Sequence, residues 1–172
     1  MNKIIISSTV KRQLLSFYLF IFLIIAVFPV MAQEKPPMPI TVTVSTLQHL
    51  SFGTFIQSGA SGTVTVTNLG GREATGNIIL PNMSSIVTRA LFEVTALPGT
   101  LITIVNGPDA LLKGSNGGTI TLKLGEPSTG SPFIATKELT DVFIGGTLTI
   151  GDLTTNPAGS YNGIFTVTFI QQ

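Results

Sequence analysis

The chain has 172 residues, of which 10% are charged and 44% hydrophobic, with no cysteine and one histidine. Without cysteine there are no disulfides, no thiolate metal sites and no lipid attached through a cysteine, and one imidazole cannot build a multi-histidine metal centre. The formal charge of +1 comes from Lys3, Lys11 and Arg12; from Gln33 onward six basic residues face eight acidic ones, a balance of −2 without the clustered Lys and Arg that nucleic acid requires.

Those three basic residues precede an unbroken apolar run from Leu19 to Val27, which Leu14, Leu15, Phe17 and Tyr18 extend backwards. Pro29 then ends any helix, and Val30, Met31 and Ala32 form a small-residue exit. The layout is that of a cleavable signal peptide over residues 1–32, because the run is shorter than the roughly twenty apolar residues of a permanent span. The expectation is an exported protein, in the periplasm, on the cell surface or outside the cell, with no membrane span left after cleavage. Residues 33–39 hold three prolines and read as an exposed spacer, since proline cannot donate to a sheet ladder.

The remainder, 40–172, reads as one domain of short strands. Ile40, Val42 and Val44 alternate with Thr41, Thr43 and Ser45, the two-residue period of a strand. Further extended runs are expected at 50–56, 62–67, 76–80, 90–97, 100–105, 119–124, 131–136 and 142–150, punctuated by Gly, Pro and Asn. Helical period is nearly absent; residues 84–91 have room for one helical turn. The last strand runs from Ser160, with Tyr161, Phe165, Val167 and Phe169 on one side and Asn162, Thr166 and Thr168 on the other. An aromatic and β-branched row needs a second sheet to cover it, so the fold expected is all-β, an antiparallel sandwich with that row in its core. Threonine is frequent at strand positions, where its branched carbon suits the pleat; solvent-facing placement explains it better than a ligand platform.

The residues offer little chemistry. His49 is the only histidine, and a general base also needs a nucleophile and an orienting partner. The carboxylates Glu73, Glu93, Asp109, Glu126, Asp141 and Asp152 are scattered singly, and Glu138 with Asp141 is the only close pair after the spacer. No segment concentrates calcium ligands, and the pairs Gly70-Gly71, Gly117-Gly118 and Gly145-Gly146 lack the lysine and helix of a phosphate loop, so they read as turns and bulges. Asn82, Met83 and Ser84 match a glycosylation acceptor pattern that is common by chance. No catalytic residue, metal ligand or cofactor is expected.

Leu50 to Phe55, Gly62 to Val66, Gly71-Arg72, Thr75-Gly76, Phe92 to Thr95, Ile144 to Gly151 and the closing Gly159 to Thr168 follow one another in an order and spacing that resembles the bacterial domain of unknown function 4402, over about residues 47 to 170. The resemblance implies an exported, immunoglobulin-like β-sandwich with a structural or adhesive surface role, similar in layout to fimbrial subunits, and no catalytic residues. In such subunits a neighbour's extended segment can fill an apolar groove by strand addition. Ile40, Val42 and Val44 are the candidate donor, either for a second subunit or, as the short leading segment favours, folded back in their own chain. The alternatives are a carbohydrate-binding module, poorly supplied because tryptophan is absent and Tyr161 is the one tyrosine past the signal segment, and an exported hydrolase.

Overall fold

A computed structural model describes Arg12 and residues 41–44, 48–82 and 85–172; every element below belongs to the compact unit Met38–Gln172. The expected signal peptide and spacer lie outside the described residues apart from Arg12, as do Ile40, Met83 and Ser84. All thirteen elements among the described residues are strands, so the all-β expectation holds.

The largest sheet is built around β11 (Leu139–Ile150), a strand of 12 residues. Along one edge it pairs with β9 (Thr119–Pro127), which continues to β8 (Ala110–Gly114) and then β12 (Tyr161–Asn162). Along its other edge the first half of β11 pairs with β6 (Ala90–Thr95), and β6 with β1 (Thr41–Val44). The second half pairs with β3 (Ile56–Val66), which makes a hairpin with β4 (Arg72–Ile79). Every one of these pairings is antiparallel.

The change of neighbour along β11 falls at Gly145 and Gly146. A Cβ on Gly145 would stand 1.9 Å from the Val66 carbonyl oxygen, so the end of β3 can approach β11 only because no side chain is there. The register against β9 also shifts between Ile144 and Gly146. A glycine pair read as a bulge is thus the point at which one strand serves two partners.

A second sheet holds β7 (Leu101–Asn106) between β10 (Phe133–Ile134) and β13 (Val167–Gln171). It covers the β6 half of the large sheet. Ala90, Phe92, Val94, Val142 and Ile144 on one side and Ile102, Ile104 and Phe133 on the other form one buried cluster, closed by the Phe92 and Phe169 rings with centroids 5.4 Å apart. Burying an aliphatic side chain of this size stabilises by about 1.5–3 kcal/mol. The alternation that marks β6 in the sequence is the alternation of its burial: Ala90, Phe92, Val94 buried, the residues between them half-buried.

The β3 half of the large sheet carries its own cluster, with Val64, Val66, Ile120, Leu122, Leu148 and Ile150 buried. Among the described residues its cover is a two-stranded ribbon of β2 (Ser51–Phe52) with β5 (Val87–Thr88) and the loops on either side of β12. On the outward face of this half, the Thr63 and Thr75 hydroxyls lie 2.7 Å apart and those of Thr65 and Thr147 2.9 Å apart, cross-strand pairs of the kind expected of solvent-facing threonine.

Three local expectations are corrected. Residues 50–56 are not one strand: Phe52 ends β2, and β3 begins at Ile56. Where a helical turn is expected over 84–91, the described residues 85–91 make none, because Val87 and Thr88 are drawn into the ribbon opposite Phe52 and Ser51, and Ala90 already belongs to β6. The terminal segment is two strands in two sheets, β12 and β13. β8 has no counterpart among the expected strands, because the adjacent Leu111 and Leu112 blur its alternation.

Candidate functional site: an apolar groove beside a bare sheet edge

The half-covered cluster opens as a groove of about 620 Å³. Ile120 and Leu122 of β9 and Leu148 and Ile150 of β11 form its floor, alternate residues that point to the inner face of their strands. One wall is the segment 50–57, with Phe52 and Phe55; the other is the segment 153–165, with Tyr161 and Phe165.

Both walls are held by hydrogen bonds. On the first, Ser51 Oγ donates to the Ile86 carbonyl at 2.8 Å and Arg72 Nη2 to the Thr54 carbonyl at 2.6 Å. Gln57 Nε2 donates to the carbonyls of Ala60, at 2.6 Å, and Gly151. On the second, Asp152 Oδ1 accepts from the hydroxyls of Thr154 and Thr155, each at 2.6 Å, and from both backbone N–H groups. The Thr154 hydroxyl, then the Thr155 hydroxyl and amide, hold the Asp152 carboxyl well below the usual carboxylate range.

Asn156 is the one buried polar side chain among the described residues. Its Nδ2 donates to the Thr119 carbonyl at 2.6 Å and its Oδ1 accepts from the Gly151 N–H at 2.5 Å, tying the loop to the ends of β9 and β11. Tyr161 donates its hydroxyl to the Pro157 carbonyl at 2.7 Å, and Asn116 Nδ2 donates to the Ala158 carbonyl at 2.7 Å. The groove thus offers a visitor an apolar floor between walls that mix polar and apolar surface.

The second wall is also a sheet edge. Residues 161–171 run antiparallel beside 102–114 around a corner: Tyr161 opposite Gly114, Asn162 opposite Lys113, then Val167 opposite Asn106 and Gln171 opposite Ile102. At the bend the Gly107 N–H donates to the Thr166 carbonyl at 2.8 Å, and Gly163 crosses so close that a Cβ would lie 2.9 Å from the Leu111 carbonyl oxygen. In the sheets described, β12 pairs only with β8 and β13 only with β7, so the outer edge of both is bare. Residues 153–172 carry no charged side chain, and Ile164 at the bend is 91% exposed. Such an edge lacks the charges and prolines by which sheet proteins keep their edges from pairing.

The residues singled out in the sequence fall at both ends of this arrangement. Tyr161 and Phe165 are half-buried against the groove cluster, and Phe165, Val167 and Phe169 against the cluster between the sheets. Val42 and Val44 stand in β1, in register with Val94 and Phe92 of β6 in the same chain. His49 is exposed, and its carbonyl accepts from the Thr88 hydroxyl. The groove floor and Asn156 went unnoticed in the sequence, for nothing local marks which part of an inner face a second layer leaves open.

No curated protein and no solved structure matches the chain. A family model described as "Domain of unknown function (DUF4402)" matches residues 42–170, most of its length, and the chain belongs to that family.

Proposed function

We propose that this protein is an exported, non-catalytic structural or adhesive surface subunit that works by β-strand pairing. The observation that carries the reading is the uncharged outer edge that begins at residues 161–165, beside a groove with an apolar floor. An added strand takes main-chain hydrogen bonds from such an edge and places every second side chain over the groove. The signal-peptide layout of residues 1–32 supports export. β1 is already paired with β6 in its own chain, which favours the folded-back alternative for Val42 and Val44 and leaves the C-terminal edge as the acceptor.

The test is titration of the protein with an uncharged synthetic peptide of alternating valine and threonine, followed by NMR. Shifts gathered at Tyr161, Phe165 and the floor residues Leu122 and Leu148 are expected. A peptide that leaves these resonances unmoved at millimolar concentration refutes the reading, as does recovery of the protein in the cytosol of fractionated cells.

A further inference from the structure

Among the described residues, the free sheet edges of this fold are not alike. β4 opens with the charged pair Arg72 and Glu73, and β10 has Pro132 before it and Lys137 and Glu138 after it. Those edges are blunted by charge and proline. Three carry neither charge nor proline: β1 (Thr41–Val44), the segment Tyr161–Phe165 that opens with β12, and β13 (Val167–Gln171). Of these, β1 and β12 terminate opposite ends of one sheet, whose order is β1-β6-β11-β9-β8-β12, while β13 ends the other.

Direction agrees as well. Five antiparallel pairings separate β1 from β12, so the two strands point in opposite senses. A second copy translated along the sheet brings its β1 beside β12 in antiparallel orientation, continuing the alternation without a break. Two neutral edges meet without desolvating a charge.

We propose that the partner at the C-terminal edge is a second copy of this chain, received through the outer edge of its β1, so that copies add head to tail. A heterologous contact of this kind does not close on itself and gives an open chain of subunits. The inference rests on the strand-pairing reading above and narrows it to one partner and one geometry.

Two edge-blocking substitutions test it in the protein as purified from the cells that produce it. Thr43→Lys puts a charge on β1 at the position opposite Glu93, where an opposite charge suits the native ladder. Ile164→Lys puts one at a side chain already 91% exposed, at no cost in packing. By light scattering the unaltered protein is expected to show masses that climb with concentration beyond the dimer. Each variant alone is expected to be a monomer, and an equal mixture of the two to give a species of twice the monomer mass, because each retains the edge that the other lacks. Circular dichroism matching the parent keeps a misfolded variant from passing as a blocked one.

A dimer of Thr43→Lys alone, with no new species on mixing, overturns the proposal in favour of a two-fold contact between C-terminal edges. A ladder that persists in either variant also overturns it. A parent that is monomeric at every concentration yet binds the valine-threonine peptide defeats this inference and leaves the strand-pairing reading standing; failure of both defeats both.

Discussion

Gly145 in β11 lies against Val66 at the end of β3 so closely that a Cβ would stand 1.9 Å from the Val66 carbonyl oxygen and 2.7 Å from the Thr67 carbonyl carbon. Both obstacles are backbone, so no rotamer change can relieve them. This contact lets β11 exchange β6 for β3 in mid-strand, and through that exchange one sheet supports both the closed core and the groove.

Gly145→Ala is therefore expected to destabilise the domain by about 3 kcal/mol or more, at the upper end of what overpacking costs. Gly125→Ala is the matched control, because a Cβ there meets nothing nearer than 3.7 Å. Urea midpoints should fall sharply for the first and by a few tenths of a molar at most for the second; equal midpoints would mean that the β3 end can move aside freely.

The Phe92 and Phe169 rings, tilted by 53°, join the two sheets near the chain terminus. Phe169 is half-buried, so Phe169→Ala should cost about 2–3 kcal/mol, less than a fully buried phenylalanine. A double-mutant cycle with Phe92→Leu should return a coupling of about 0.5–1.5 kcal/mol if the ring pair contributes beyond its buried area. Strict additivity of the two single changes would assign the whole effect to burial.

The same terminus shows how far the sequence could be read. Tyr161, Gly163, Phe165, Val167 and Phe169 keep one phase of alternation throughout, and Tyr161, Phe165, Val167 and Phe169 are half-buried. That phase is silent about the bend, because a strand that turns from one sheet to another keeps its side-chain period while its neighbours change from β8 to β7. β6 and β7 were legible for the opposite reason: both faces of their environment are uniform along their length. The groove depends on β7, β10 and β13 covering only half of the large sheet, a relation among distant segments that no local window contains.

Asn156 is the joint between the groove wall and its floor. Asn156→Ala leaves the Thr119 carbonyl and the Gly151 N–H without their side-chain partner, at an expected cost of about 1–3 kcal/mol. The loop it anchors should loosen with it, which hydrogen exchange at residues 152–160 reads directly. Unchanged protection there would place the anchor elsewhere, in the hydrogen bonds from Tyr161 to Pro157 and from Asn116 to Ala158.

Asp152 makes the stability of that wall depend on pH. Its carboxyl is held below its usual value of about 3.9 first by the Thr154 hydroxyl, then by the Thr155 hydroxyl and amide. A carboxylate depressed in the folded state contributes stability that is fully present above the unfolded value and is lost as pH falls through the folded one. From neutral pH down to about 5 this contribution is constant; below about 4 it declines as the acid form gains in the unfolded chain. Asp152→Asn should therefore lower the melting temperature at pH 7, and the gap to the parent should narrow steadily from pH 4 to pH 2. A gap of constant size over that range would show that the charge of the Asp152 carboxylate adds nothing to the stability of the wall.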